Sequence, residues 1–202
     1  MGKQAIGAIG YNQLNRVDTL LYLMTYPQRP LVQTRTVEIT NLDKLPAGQN
    51  ASVAIMSYSG YDIEDAVILN RGSLDRGFGR ALYVRRYQTE VQKYPNNTMD
   101  QIRGVVIPPE KHKQQLFKRF HALDEGGIAR VAEKLSNGDV IVNKYCPTTQ
   151  DPNQPAVQGA PVVEKQKIES YKGANPAYVD RVILTTDPAN EKNAYTLKFI
   201  TR

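Results

Sequence analysis

Residues 139–146 read DVIVNKYC, the clearest strand pattern in the chain. Three later runs have the same character, Val162–Tyr171, Tyr178–Thr185 and Ala194–Thr201. Turns that contain Pro, Asn and Gly separate the four runs, and this spacing is typical of antiparallel β structure. The sequence therefore predicts an antiparallel sheet at the end of the chain.

Toward the N-terminus the patterns are more mixed. Ala81–Val91 is β-branched and aromatic and predicts a further strand, while the apolar run Ala51–Tyr58 predicts a buried one. The shorter predicted elements are a helix over Asn15–Met24, a strand over Thr34–Thr40, a helical turn around Ser73–Arg76 and a short helix over His112–Leu123. The predicted fold class is α+β and β-rich, with antiparallel strands and short helices.

Composition and charge exclude several classes of protein. The chain has 202 residues, with 26 Lys or Arg against 20 Asp or Glu, and so a formal charge of +6. Its single cysteine, Cys146, excludes a disulfide framework and a multi-cysteine zinc site, and is expected to be a small buried apolar residue. The longest apolar runs are too short to span a bilayer, and no secretory signal pattern occurs. We expect no membrane partner and a place in the cytosol or nucleus.

An acidic turn, Ser57–Asp65, is the sharpest local feature. Three carboxylates, on Asp62, Glu64 and Asp65, follow the predicted strand Ala51–Tyr58. Carboxylates at a strand end can hold a divalent ion or work as an acid–base pair. A solvated acidic turn is the alternative, since three close carboxylates repel one another unless they face water or share a cation.

Other catalytic patterns are missing from the sequence. The two histidines, His112 and His121, do not form a His-Glu-x-x-His motif, and Ser59 lacks the glycine that a nucleophile elbow requires. A modest group of basic and aromatic residues could follow phosphates, or could be a solvated charged face. Its members are Arg76, Arg80, Tyr83, Arg85, Arg86, Tyr87 and Lys93.

Several stretches, taken in order, resemble one known family. They are Met1–Gly7, Arg16–Thr19, Tyr26–Leu31, Leu45–Asn50, Ser59–Ala66, Asn70 and Ser73–Arg80. Together they resemble the hybrid-binding region of the second-largest subunit of multisubunit RNA polymerases. The wording of Tyr11–Arg16, and Phe78, is most similar to the eukaryotic polymerase III branch. The resemblance is strong over residues 1–93 and looser over 94–202. It predicts a partial hybrid-binding domain over residues 1–202, truncated at both ends.

The resemblance implies a role for the acidic turn. In the family, the carboxylates at the positions of Glu64 and Asp65 point into the active centre, and they help hold the second Mg²⁺, which arrives with the nucleoside triphosphate, largely through water. Mg²⁺ keeps several of its waters in such sites. Two-metal catalysis stabilises both the attacking 3′ oxygen and the leaving pyrophosphate. Asp62 is the weaker candidate.

Contacts to nucleic acid are implied as well. Lys3 and Gln4 lie where the family approaches the RNA–DNA hybrid, and Arg76 and Arg80 are further candidates for nucleic-acid binding. Two rival interpretations stay open: a non-catalytic nucleic-acid-binding β module, and a non-functional truncated fragment.

The resemblance also predicts partners. In the family, the tightly bound catalytic Mg²⁺ belongs to an aspartate triad of the largest subunit, and no Asp-x-Asp-x-Asp motif occurs in this chain. We expect partnership with the largest subunit, other polymerase subunits, the DNA template, the RNA–DNA hybrid and the nucleoside triphosphate. A nuclear location is expected, and no RNA synthesis by this chain alone.

Overall fold

A computed structural model describes residues 4–94, 98–105, 118–148, 164–186 and 193–201, the last range by its backbone only. Contacts within the chain divide it into two compact units, Met1–Val84 and Arg85–Arg202, called here the first and the second unit. The predicted class, α+β and β-rich, is confirmed, since antiparallel strands predominate and the helices are short.

The first unit contains few regular elements. In chain order, its described part has a 3₁₀ turn at Gln13–Asn15, strand β1 at Leu20–Met24, helix α1 at Arg35–Ile39, a 3₁₀ turn at Leu42–Lys44, helix α2 at Arg71–Asp75 and the first residues of strand β2, which spans Ala81–Gln92. β1 buries Leu21 and Leu23 on one face. On its exposed face, Tyr22 packs edge-on against Tyr83 of β2, with 5.2 Å between the ring centroids.

Helix α2 confirms the helical turn that the sequence predicts near Ser73–Arg76. The side chain of Asn70 caps its start by accepting a hydrogen bond from the Ser73 amide at 3.2 Å. Asn is among the preferred residues at this position because its short side chain reaches an amide that the helix leaves unpaired.

Two short predictions in the first unit are wrong. The helix predicted over Asn15–Met24 is replaced by β1, because Leu21 and Leu23 alternate with exposed residues at the period of a strand. The strand predicted over Thr34–Thr40 is replaced by α1, in which the Thr40 amide bonds the Thr36 carbonyl at 3.0 Å. Both stretches are short enough that helix and strand patterns overlap, so periodicity alone could not decide them.

The buried strand predicted over Ala51–Tyr58 is also wrong. All eight residues are exposed and none is in a strand; Ile55 is 98% exposed and Val53 80%. A strand needs backbone hydrogen bonds from a neighbour and cover for its apolar side chains. Among the described residues, no strand pairs with this segment. The acidic turn therefore follows exposed, unpaired backbone and not a rigid strand end.

The second unit is built from strands. β2 continues into it and is followed by β3 at Gln101–Ile102, β4 at Lys134–Leu135, β5 at Val140–Pro147, β6 at Glu164–Ser170, β7 at Ala177–Thr185 and β8 at Asn193–Thr201. The strand orders within the unit are β2-β8-β7-β4 and β3-β5-β6, and the neighbouring strands in these orders pair antiparallel. The four C-terminal strands and the strand over Ala81–Val91 are thus confirmed. Residues 162 and 163 of the predicted strand Val162–Tyr171 lie outside the described residues, and the other ends are shifted by at most one residue.

The core of the second unit lies around β5. Val140, Ile141, Val142 and Asn143 are each at most 2% exposed, so this strand is covered on both faces. The cluster packed around it comprises Ala122, Ala129, Leu135, Ile141, Val142, Tyr171, Ala177 and Val179. The first unit has no comparable cluster in its described part, where Leu21 and Leu23 are the buried large apolar side chains.

Most of the helix predicted over His112–Leu123 lies outside the described residues, of which only 118–123 fall in that range. Of the helices that the structure does describe, none has both the length and the apolar character needed to cross a membrane.

Candidate functional site

The acidic turn is closed by one of its own carboxylates. The Tyr58 amide donates to both oxygens of Asp62, at 3.0 and 3.2 Å. Inside the loop, Ser59 and Gly60 adopt φ values of 54° and 73°, a left-handed conformation that glycine enters without a steric cost. Asp62 is half-buried and is committed to this backbone contact.

Glu64 and Asp65 differ from Asp62 in that they are exposed and hold no hydrogen bond or ion pair within the described chain. Asp65 has a φ of 54°, so the turn ends in a third left-handed residue. The three carboxylates of the motif therefore divide into one that shapes the turn and two that remain available to a ligand. Sequence inspection treated Asp62 as a weak metal candidate, and the structure assigns it a backbone partner instead.

The donor set suits an ion that brings most of its own ligands. Within the described residues, no three His, Cys, Asp or Glu side chains converge as a metal site would require. Mg²⁺ is commonly held by one or two carboxylates together with waters and substrate phosphates. Glu64 and Asp65 suit a site of this kind, because both are carboxylates without a competing partner in the described chain.

The predicted nucleic-acid contacts are spread over the first unit. Lys3 lies outside the described residues, whereas Gln4 is exposed and lines a small cavity of about 330 Å³. Gln4 makes no hydrogen bond to Glu64 or Asp65. These assignments stay predictions.

Two of the predicted contacts, Arg76 and Arg80, follow helix α2 in the chain. Arg76 follows the helix directly, is exposed, and lines a larger cavity of about 650 Å³. Arg80 turns its guanidinium toward the Leu74 carbonyl, at 3.4 Å. Neither arginine forms an ion pair in the described part of the chain. Their predicted contact with nucleic acid is untested by this geometry.

Sequence inspection missed the role of Gln49. Its side chain donates to the Tyr26 carbonyl at 3.0 Å and accepts from the Gly79 amide at 2.6 Å. One amide thus joins backbone segments 23 and 30 residues away along the chain.

Asn50 acts in the same way on the next segment. It donates to the Arg29 carbonyl at 3.0 Å and accepts from the Leu31 amide at 2.9 Å. We call Gln49 and Asn50 the amide pair. The signal in the sequence was the adjacency of two amide side chains in Leu45–Asn50, a stretch that was interpreted above only as part of the family resemblance.

A second polar group that sequence inspection missed lies in the second unit. Lys144 Nζ is 3.2 Å from Asp100 Oδ2, and both side chains are buried. The Lys144 ammonium also donates to the Glu90 carbonyl at 2.9 Å, and the Tyr94 hydroxyl donates to Asp100 Oδ1 at 2.9 Å. A buried charge pair, with a further hydrogen bond on each partner, ties the loop after β2 to β5.

The environment shifts three pKa values in this group. Burial, with the Asp100 carboxylate beside it, raises the pKa of Tyr94 to about 12. Burial by itself would raise the pKa of Asp100, but hydrogen bonds from Tyr94 and from its other donors outweigh it and hold that pKa below the usual value. Burial also raises the pKa of the Cys146 thiol, which hydrogen-bonds Asp100. Cys146 is therefore a half-buried polar partner, which corrects its prediction as an apolar residue.

The chain matches one protein family and two polymerase III subunits over nearly its whole length. The family described as RNA polymerase Rpb2, domain 6 matches residues 1–202. The chain is 48% identical over 194 residues to the DNA-directed RNA polymerase III subunit RPC2 of Schizosaccharomyces pombe, covering 95% of this chain and 16% of that protein. It is 45% identical over 202 residues to the subunit of the same name from Drosophila melanogaster, covering 100% of this chain and 17% of that protein.

The polymerase III relatives are closer than a polymerase II relative. The DNA-directed RNA polymerase II subunit 2 of Arabidopsis thaliana is 38% identical over 202 residues, covering 99% of this chain and 16% of that subunit. The predicted likeness to polymerase III is confirmed by this difference. The chain spans about one sixth of the length of the curated relatives it matches. It belongs to the RNA polymerase Rpb2 domain 6 family of second-largest subunits, and its sequence is more similar to these two polymerase III subunits than to that polymerase II subunit.

Proposed function

We propose that this chain contributes Glu64 and Asp65 to the active centre of a DNA-directed RNA polymerase of the polymerase III class. One observation carries the proposal: in a motif of three carboxylates, these two are exposed and unpartnered while Asp62 is committed to the Tyr58 amide. The family membership supports the reaction, and the division among the carboxylates supports the choice of residues.

The chemistry is transfer of a nucleotide to the 3′ hydroxyl of the growing RNA, with pyrophosphate as the leaving group. The second Mg²⁺ comes in with the triphosphate, and it neutralises charge on the phosphates as the bond to pyrophosphate breaks. Glu64 and Asp65 would hold that ion through its waters and so orient the triphosphate. Two adjacent carboxylates give weak affinity in the absence of nucleotide, which suits an ion that must leave after each addition.

Support of the RNA–DNA hybrid is the second part of the proposal. Lys3 and Gln4 are the proposed backbone contacts, and Arg76 and Arg80 are the proposed further basic contacts. Each phosphate neutralised by a basic side chain makes binding more dependent on salt. A nucleic-acid-binding module without catalysis would show the same salt dependence but no requirement for the carboxylates.

The proposed partners are the largest subunit, which supplies the other Mg²⁺, further polymerase subunits, the DNA template and the nucleoside triphosphate. The proposed location is the nucleus. Large apolar side chains of the first unit, such as Val53 and Ile55, are exposed to solvent. This exposure favours a role within an assembly, because exposed apolar patches usually mark contact surfaces.

The test replaces both carboxylates in the polymerase that contains this chain. Glu64→Ala with Asp65→Ala should slow nucleotide addition about 10- to 100-fold, which corresponds to about 1.4 to 2.8 kcal/mol in the barrier. The loss should shrink as Mg²⁺ is raised, because the proposed defect is in holding an ion. Single-nucleotide addition in a quenched-flow instrument measures both effects.

The matched control is Glu125→Ala, which removes an exposed carboxylate from the second unit. It should leave the rate of addition unchanged. Elongation at the normal rate by the double variant would exclude the proposed role for the acidic turn.

A further inference from the structure

The turn between β4 and β5 contains the one Asn-Gly dipeptide of the sequence, Asn137–Gly138. The turn runs from Ser136 to Asp139 and is closed by a hydrogen bond from the Asp139 amide to the Ser136 carbonyl at 3.0 Å. Gly138 has a φ of 93°, the left-handed value that the third position of a type II turn requires. Asn137 is exposed, so its side-chain amide is open to water.

An Asn that precedes Gly can react with its own backbone. Attack of the Gly138 nitrogen on Cγ of Asn137 closes a five-membered ring, and glycine has no Cβ that would obstruct this approach. The bond from the Gly138 nitrogen to Cγ forms, the bond from Cγ to Nδ2 breaks, and the amide proton leaves with the Nδ2 group as ammonia. Water then opens the ring at either carbonyl, which gives an aspartate or an isoaspartate at position 137.

The folded turn restrains the attacking nitrogen. The Gly138 amide donates to the Tyr171 carbonyl at 2.9 Å, and the Tyr171 amide donates to the Asp139 carbonyl at 2.8 Å. Tyr171 is 6% exposed and belongs to the packed cluster of the second unit, so its carbonyl is held in place. The Ser136 amide adds a bond to Asp139 Oδ2 at 2.7 Å. The nitrogen can attack only after it loses its proton and turns toward the side chain, and the bond to Tyr171 opposes both steps.

We propose that Asn137 is a site of spontaneous deamidation, and that the hydrogen bonds of the β4–β5 turn suppress the reaction until the turn opens. Such local opening, and not global unfolding, then sets the rate in the folded protein. Isoaspartate adds one carbon atom to the backbone, so a turn that has reacted in this way cannot recover the same bonds. Either product also places a negative charge beside Asp139. The proposal concerns the second unit and does not depend on the proposed function.

The test compares the rate of conversion in the intact protein that contains this chain, in native buffer and in urea at the same pH. Trypsin releases residues 135–144, a peptide that contains both Asn137 and Asn143. Tandem mass spectrometry assigns the converted residue, and digestion in H₂¹⁸O marks any conversion that occurs during digestion. We expect conversion at Asn137 to be at least about tenfold slower in native buffer, because several hydrogen bonds must open together. Asn143 precedes Lys144 and not Gly, and it should stay an amide in both solutions.

A variant of the turn tests the role of its hydrogen bonds. Asp139→Ala removes the acceptor of the Ser136 amide and leaves the Asn-Gly dipeptide intact. It should raise the native rate about 3- to 10-fold, the effect of about one hydrogen bond, and should leave the rate in urea within about twofold. The matched control, Glu125→Ala, removes an exposed carboxylate from the same unit and should leave both rates within about twofold of the parent.

Four results would overturn the proposal. They are equal rates at Asn137 in native buffer and in urea, no conversion at Asn137 in urea, conversion at Asn143 in place of Asn137, and an unchanged native rate in Asp139→Ala. The comparison of native buffer with urea uses the parent protein, so it decides the matter even if Asp139→Ala fails to fold.

Discussion

Different interactions stabilise the two units of this chain internally. In the second unit, Leu135 and Val142 are at most 1% exposed within a packed cluster. In the first, Ile55 is 98% exposed, and the buried large apolar side chains of the described part are Leu21 and Leu23. The unit that carries most of the family motifs and the candidate site is thus the one whose described residues form no packed core.

The first unit uses side-chain hydrogen bonds to the backbone where the second uses packing. Gln49, Asn50, Asp62 and Asn70 each bond a main-chain group of another residue. Such bonds define the path of a loop but contribute only about 1 kcal/mol each. The hydrogen bonds of the first unit can therefore position its loops. The stability of these loops depends on further contacts over their exposed apolar side chains.

The largest expected effect tests the packing of the second unit. Leu135→Ala should lower the free energy of opening of β5 by about 4 kcal/mol, because it leaves a cavity in a fully buried site. Ile55→Ala in the first unit should change stability by less than about 0.5 kcal/mol, because the side chain is already in water. Hydrogen exchange of backbone amides in this chain measures both. Equal costs for the two variants would contradict the contrast between the units.

A somewhat smaller effect comes from the buried charge pair. Asp100→Asn should cost the second unit about 2 to 3 kcal/mol at pH 7, because Lys144 keeps its charge without its partner. The pKa of Asp100 is lower in the folded chain, so its contribution is present above the unfolded pKa, near 3.8. It is lost as the pH falls through the folded pKa.

The pH dependence separates this carboxylate from the others. Denaturation in urea from pH 7 down to pH 2 should show a shallower loss of stability for Asp100→Asn than for the parent chain. Glu125→Gln, at an exposed site, should keep the parent slope. An unchanged acid limb in Asp100→Asn would show that the carboxylate is not stabilised by folding.

The smallest effect tests the amide pair in the first unit. Gln49→Ala removes two hydrogen bonds and should lower the protection of the Gly79 amide by about 1 to 2 kcal/mol, or about 5- to 30-fold in exchange rate. Gln33→Ala is the control, since the Gln33 amide group bonds only the nearby Glu38. Protection of Gly79 that survives in Gln49→Ala would mean that packing, and not this bond, orders the loop.

The fold could be predicted where strands are long and bounded by turns. The runs at β5 to β8 have β-branched residues and turn signals on both sides, so their type and approximate limits follow from local pattern. Thr34–Thr40 and Asn15–Met24 failed because a few residues fit both periods. Ala51–Tyr58 failed for a different reason: its apolar run has strand character, but no strand pairs with it in the described structure.

The candidate site was half predictable. The Glu64 and Asp65 carboxylates follow from the motif and from the chemistry of Mg²⁺. The hydrogen bond from the Tyr58 amide to Asp62 could not be predicted, because nothing in the sequence distinguishes this carboxylate from the two that follow it.

By itself, the sequence determined the family, through motifs in a set order, together with the strands of the second unit and the acidic character of the turn. Only the tertiary structure decided which polar side chains form hydrogen bonds or ion pairs within the chain and which remain available to a ligand. Gln49 meets Gly79, 30 residues away, and Lys144 meets Asp100 across 44 positions. Hydrogen bonds and ion pairs depend on approach within about 3 Å, and such proximity between distant residues is set by the folded backbone and not by local pattern.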